Sequence, residues 1–373
     1  MIDERIIQEL QKIVGVEHVA TDRQDLICYG YDATQMEFLP EAVVHPGSTA
    51  EIAAVLKLAN AEKFPVIPRG AGSGFTGGAV PKGGGVVLVV TRLDRILRID
   101  TENLIAEVEP GVVTEQFQLE VEKLGLFYPP DPASLKFSTL GGNVAENAGG
   151  PRCVKYGVTR DFVMGLEVVL PSGEIIRTGG ETYKGVVGYD LTRLLCGSEG
   201  TLGVITKIIF KLLPLPEAKK TMLTIFDSID GAAKAVSTII SNKIIPTTLE
   251  FMDYATLQCV EKRYSLGIPE SGRAVLLIEV DGDRDLIERQ AARIQELIAP
   301  LGLVECKVAR DAAEAEALWK VRRLVSPSLR DVNPDKFNED IVVPRSKVPE
   351  VIRVIEKISQ KYAIPIVDRK SVV

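Results

Sequence analysis

Histidine is nearly missing from this chain: 373 residues contain two, His18 and His45, so nothing downstream of residue 45 offers an imidazole as base or metal ligand. Cysteine is sparse and scattered. The five (28, 153, 196, 259 and 306) come no closer than the 43 residues between Cys153 and Cys196, which excludes paired-cysteine zinc or iron–sulfur motifs and suits a reducing cytoplasm. No apolar run approaches the ~20 residues of a membrane span; the best, Gly85–Val90 and Val275–Val280, have the length of buried strands. Basic residues are outnumbered, 44 Lys and Arg against 51 Asp and Glu, and the net charge of −7 with no basic run argues against nucleic acid. The N-terminus is acidic from Asp3, unlike a signal peptide. A cytoplasmic protein of two or three domains is expected.

What the chain does have is glycine in three clusters. Residues 68–78 read Pro-Arg-Gly-Ala-Gly-Ser-Gly-Phe-Thr-Gly-Gly. Shedding side chains at Gly70, Gly72, Gly74, Gly77 and Gly78 brings bare backbone N–H groups against a ligand, typically a phosphate pair. Gly72 to Gly77 also matches the dinucleotide fingerprint G-x-G-x-x-G, but that motif needs a helix to start at the loop. The residues that follow, Ala-Val-Pro-Lys-Gly-Gly-Gly, cannot sustain one, and no Gly-Lys-Ser/Thr is present. A tight structural turn and a pyrophosphate-wrapping loop remain. The second cluster runs from Pro129-Pro-Asp-Pro-Ala-Ser134 to Ser138-Thr-Leu-Gly-Gly-Asn-Val-Ala-Glu-Asn-Ala-Gly-Gly150 and reads as a loop offering Ser134, Thr139, Asn143 and Asn147. The third, Cys196-Gly-Ser-Glu-Gly-Thr-Leu-Gly-Val-Ile-Thr206, enters a buried strand.

Around the clusters, Ile6, Leu10 and Ile13 fall at helical spacing, and Ser48-Thr-Ala-Glu51 is a capping box before a helix. Strands are predicted at 42–45, 64–68, 86–91, 97–100 and 105–109, with a hairpin over 166–177 around Pro-Ser-Gly. Pro214 and Pro216 mark a boundary. Beyond it the order strand (221–226), helix (229–241), strand (247–252), strand (274–281), helix (284–299), strand (303–308) is the ferredoxin-like split β-α-β. Helices over 312–324 and 348–361 follow, with a strand around Ile341-Val-Val343.

The three clusters, in this order and spacing, resemble the FAD-linked oxidases with a flavin domain of the p-cresol methylhydroxylase type, most closely glycolate oxidase D subunits and FAD-dependent D-lactate dehydrogenases. The resemblance extends to Val367 and implies an α+β protein. Residues 1–39 would be an N-terminal helical segment, 40–217 a two-part α/β FAD-binding domain, and 218–367 a ferredoxin-like antiparallel substrate or cap domain. It further implies that Gly70, Ala71, Gly72, Ser73, Gly74, Gly77 and Gly78 hold the FAD pyrophosphate. Pro132, Ser134, Thr139, Gly142, Asn143, Ala145, Asn147, Gly149 and Gly150, with Glu199, Gly200, Val204 and Ile205, would line the rest. Some relatives tether the flavin through a histidine where this chain has Ser73, so dissociable FAD is expected. Leu318-Trp-Lys-Val-Arg-Arg-Leu-Val-Ser326 resembles the family helix bearing a substrate arginine, here Arg322, with Ser326 one turn on; a solvated surface arginine is the alternative.

The family continues after this point into a Gly-His-x-Gly-Asp-Gly-Asn-x-His segment that brings metal ligands and a base. Here Asp-Arg-Lys-Ser-Val-Val373 follows Val367 and reads as a translated adapter. The implied activity is oxidation of a small D-2-hydroxy acid such as glycolate or D-lactate, with hydride passing to flavin N5. This 373-residue chain, with no catalytic base or metal ligand of its own, is expected to be inactive; a divalent metal is expected only in the full-length protein. A non-catalytic FAD-binding subunit is the alternative. The implied partners are a small 2-hydroxy acid, an iron–sulfur or other electron-acceptor subunit, and further copies in a homo- or hetero-oligomer, peripheral to the inner membrane through such partners.

Overall fold

The computed structural model describes residues 2–264, 269–332, 341–364, 366 and 369–371, with backbone only at 262–264, 326–327, 330–332 and 369–371. The chain divides into two compact units, one of residues 1–150 and 158–215, the other of 151–157 and 216–373.

In addition to a short antiparallel pair, Leu126–Phe127 and Leu213–Pro214, the first unit is built on two large sheets. One carries three parallel strands, Ala42–Val44, Val86–Val89 and Val66–Arg69, with Val19–Ala20 antiparallel at its edge. Ala42–Val44 and Val86–Val89 are apolar at every position, as strands covered on both faces must be. Helices Glu4–Val14 and Thr49–Glu62 cover one face with Ile6, Leu10, Ile52, Val55 and Leu56; Leu26, Tyr29 and Ile67 meet Val43, Val87 and Val89 on the other. Ser48 caps the second helix by accepting from Glu51 N–H, but the Glu51 carboxylate reaches back one residue further than in a capping box, to Gly47 N–H at 2.7 Å. The other sheet is antiparallel, in the order Ile96–Asp100, Ile105–Val108, Val204–Lys211, Val163–Val169, Ile175–Gly179. Its last two strands form the hairpin expected from Pro-Ser-Gly.

The second unit is one five-stranded antiparallel sheet in the order Leu303–Val308, Ala218–Phe226, Ala274–Gly282, Thr248–Asp253, Arg369–Ser371. Its first four strands have the ferredoxin-like order. Side chains alternate between two cores. Met222, Phe226, Leu276 and Ile278 face helices Ile229–Ser241, Arg284–Ile298 and Val348–Tyr362, whereas Leu223, Ile225, Val275 and Leu277 face helices Tyr254–Tyr264 and Ala312–Val332.

Three sequence expectations fail locally. The glycine- and asparagine-rich stretch expected to be a loop contains a helix, Leu140–Glu146. Its Gly141 tolerates the helix because a Cβ there would collide with Pro110, so close packing compensates for weak propensity. Helix Ala312–Val332 runs past Pro327, well beyond its expected end at residue 324. Residues 341–343 are not a strand: Ile341 and Val342 are 54% and 94% exposed.

Candidate FAD site and substrate arginine

Strand Val66–Arg69 ends in a buried arginine, and the first glycine cluster wraps that side chain. Arg69 Nη1 donates to the carbonyls of Ala79 (3.4 Å), just past the loop, and of Tyr31 (2.7 Å), in a segment far upstream. It forms an ion pair with no carboxylate among the described residues, and burial holds its guanidinium below its ordinary pKa against the pull of Asp32. Gly72, at φ +66°, crosses directly over it; a Cβ there would overlap the guanidinium. Asp32 fixes the far side by accepting from Gly77 N–H at 3.0 Å and from Thr34.

Between these anchors, the backbone N–H groups of Ala71, Gly72, Ser73, Gly74, Phe75 and Thr76 donate to no other described residue. Gly72, Ser73 and Gly74 are half-buried. Half-buried amides are normally paired, so these three, continued on both sides by the exposed amides of Ala71, Phe75 and Thr76 and backed by a buried cation, fit a diphosphate.

The other two clusters converge on this loop. Gly70 packs so tightly on Thr139 that a Cβ would overlap Oγ1, while Thr139 accepts from Gly142 N–H at 3.3 Å and starts helix Leu140–Glu146. The helix is in turn bonded to the third cluster, Gly197 N–H to Val144 O and Glu199 N–H to Ala145 O, both at 2.9 Å. Glu199, at φ +53°, and Glu146 flank Gly78, and Gly200 packs on Pro68. Gly150 is fixed by Asp131, beside Pro132 and Ser134, whose carbonyls close the turn before Ser138; Gly149 is exposed. Several expected ligand groups are occupied internally. Asn143 Nδ2 donates to Thr114 at 2.7 Å, Asn147 Oδ1 accepts from Arg160 N–H at 2.9 Å, and the Val204 side chain lies in the core; Ile205 is buried in its strand.

In the second unit Arg322 is not a solvated surface arginine. Its side chain is 12% exposed, and Nε donates to Glu250, which is fully buried. Its two Nη groups have no hydrogen-bond partner among the described residues, a free edge shaped for a carboxylate. Trp319, one turn earlier, donates from Nε1 to Glu279 at 3.0 Å. Ser326 lies on the same helix, but its side chain falls outside the described residues. No group of three or more His, Cys, Asp or Glu side chains among the described residues is placed to hold a metal ion.

Residues 40–179 match the FAD binding domain family and 215–368 the C-terminal domain of FAD linked oxidases. A glycolate oxidase subunit GlcD of Bacillus subtilis is 46% identical over 367 residues, 98% of this chain and 78% of its own. The chain belongs to the FAD-linked oxidases. A D-lactate dehydrogenase of Anaerostipes hadrus is 37% identical over 84% of this chain and 67% of its own. Among solved structures, an alkyldihydroxyacetonephosphate synthase (TM-score 0.79, 21% identical, 97% of this chain and 75% of the other) and a 4-ethylphenol oxidase from Gulosibacter chungangensis (0.78, 21%, 97% and 79%) share the fold.

FAD is therefore the cofactor of this FAD-linked oxidase. Arg69, Asp32, Glu146 and Glu250 were not singled out by their sequence setting, although a glutamate at an inward position of strand Thr248–Asp253 was a readable signal. Cys196, adjacent to the third cluster, is buried and its thiol is pushed up to about 11, which leaves it protonated and unreactive at neutral pH. With Ser73 in the loop, denaturation with acid is expected to release all flavin into the supernatant; flavin retained on the precipitated protein would contradict a dissociable cofactor.

Glu146 accepts from Thr76 Oγ1 at 3.0 and 3.1 Å. Burial, then the nearby Glu199 and Asp32, raise its carboxyl above the usual range against the Thr76 bond. A raised folded-state pKa binds the proton more tightly than the unfolded chain, so this group's stabilisation is lost as pH rises through that value. In the cofactor-free protein Glu146→Gln should therefore raise Tm at pH 8 and leave it unchanged near pH 4; a Tm difference independent of pH would sink that assignment.

Proposed function

We propose that this protein oxidises a small D-2-hydroxy acid, glycolate or D-lactate, to the 2-oxo acid. The observation that carries the substrate class is the Arg322 fork, whose Nε is held by buried Glu250 while both Nη groups remain available. Two parallel bonds from these groups would hold a carboxylate in one plane and restrict the Cα–H to few orientations, which is what hydride transfer requires. Bound FAD supplies the hydride acceptor. The amides of residues 71–76 would hold its pyrophosphate over Arg69, with Gly70, Gly77, Gly78, Thr139, Gly142 and Gly200 giving the close approach and residues 132–150 and 199–205 the remaining wall. Ser326 is the second proposed substrate contact.

The names of the glycolate oxidase and D-lactate dehydrogenase relatives support the reading. A D-2-hydroxyglutarate dehydrogenase of Stutzerimonas stutzeri, 31% identical over 96% of this chain and 77% of its own, keeps longer acids within the class. Reoxidation would fall to an acceptor on another chain, since the relative from Bacillus subtilis is a subunit by name. Among the described residues no helix is long and apolar enough to cross a membrane.

A single anaerobic turnover tests this. The FAD-loaded complete gene product should release one 2-oxo acid per flavin from glycolate or D-lactate and none from L-lactate. Equal yield from L-lactate would overturn the stereochemical assignment. No product from any 2-hydroxy acid would leave a cofactor-holding subunit.

A further inference from the structure

Helix Ala312–Val332 meets the sheet of the second unit at two buried carboxylates. Trp319 Nε1 donates to Glu279 and, three residues on, Arg322 Nε donates to Glu250. The two acids stand on adjacent antiparallel strands, Ala274–Gly282 and Thr248–Asp253, and are 4% and 0% exposed. Thr221 Oγ1 holds Glu279 from the other side at 2.6 Å. The surroundings are Leu223, Leu277, Met252, Val321 and Val325, an apolar core that leucine or methionine at 250 would complete.

An ion pair placed there contributes little to stability, because desolvation of both charges offsets most of their attraction. Its geometry suits another purpose. A carboxylate on Nε alone fixes the guanidinium plane and its rotation while leaving the Nη edge open, whereas a bidentate pair would consume that edge.

We propose that Glu250 is a positioning residue: it holds Arg322 by Nε so that the Nη edge stays aimed at the substrate carboxylate, with the Trp319–Glu279 bond fixing the helix register one turn earlier. This rests on the oxidase reading above.

Trp319 is the only tryptophan in the chain, so its fluorescence reports binding next to Arg322. The probe is oxalate, an unreactive two-carbon dicarboxylate, titrated into FAD-loaded protein. Glu250→Leu should weaken oxalate binding by about tenfold or more with flavin content unchanged, as loss of an oriented charged hydrogen bond requires. Glu250→Gln, whose amide oxygen still accepts from Nε, should stay within about threefold. In an Arg322→Ala background Glu250→Leu should weaken oxalate binding no further, because its effect on oxalate passes through that arginine.

Should the leucine variant not fold, Glu250→Asp keeps the charge, withdraws it by one methylene and should show the same loss. Wild-type affinity in whichever of these two variants folds, or additive losses in the double variant, would overturn the positioning role alone. Wild-type protein that binds neither oxalate nor any 2-hydroxy acid would remove the oxidase reading and this inference with it.

Discussion

Arg322→Ala is expected to lower kcat/KM for a D-2-hydroxy acid by about 10²–10⁴-fold, the loss of two charged hydrogen bonds at ~1.5–3 kcal/mol each. Bound FAD should be unaffected, because the arginine belongs to the second unit and the three glycine clusters to the first. The variant also removes the Arg322 ion pair from buried Glu250, so Tm should fall as well. Arg322→Lys separates the two consequences. An ammonium restores the charge against Glu250 but cannot serve Glu250 and a substrate carboxylate from opposite edges of one plane. Stability should return largely to the wild-type level while kcat/KM remains low. An alanine variant with wild-type kinetics would remove Arg322 from the substrate site.

Gly72→Ala is the second large effect, expected on cofactor affinity and not on substrate. At φ +66° an alanine is strained by about 1–2 kcal/mol. Its Cβ would also displace the Arg69 guanidinium from the Tyr31 and Ala79 carbonyls, charged hydrogen bonds at ~1.5–3 kcal/mol each when intact. FAD affinity should drop by about 10²-fold or more, enough for the protein to be purified colourless. Gly83→Ala is the control: the position has open space around its Cβ and no positive φ, so FAD should be retained. A Gly72→Ala protein that keeps one FAD per chain would show that the loop does not depend on this close crossing.

The two sites differed in how much could be read from residue order. The first glycine cluster was legible because a phosphate-wrapping loop needs glycine at fixed places, and Ala-Val-Pro-Lys after it ruled out the helix of a dinucleotide fold. Helix Leu140–Glu146 was not legible, since Gly141 and Gly142 oppose helix formation locally and only the contact of Gly141 with Pro110 explains them. The role of Arg69 was not legible, because nothing in Pro-Arg-Gly tells that the loop closes around the side chain. In the second unit the alternating strands and the ferredoxin-like order were visible as period-two patterns. The partner of Arg322 was not, because Glu250 lies 72 residues away and only strand pairing brings it beneath the helix. Ile341-Val-Val343 had the composition of a strand, yet Ile341 and Val342 stand exposed and pair with no described strand.

The most direct test of the account is the absorbance of the FAD-loaded complete gene product, mixed anaerobically with glycolate, D-lactate and L-lactate in turn. Glycolate and D-lactate should bleach the oxidised flavin, and L-lactate should not. Flavin that binds tightly yet stays oxidised with every 2-hydroxy acid would contradict the oxidase reading and leave a protein that holds FAD for another chain.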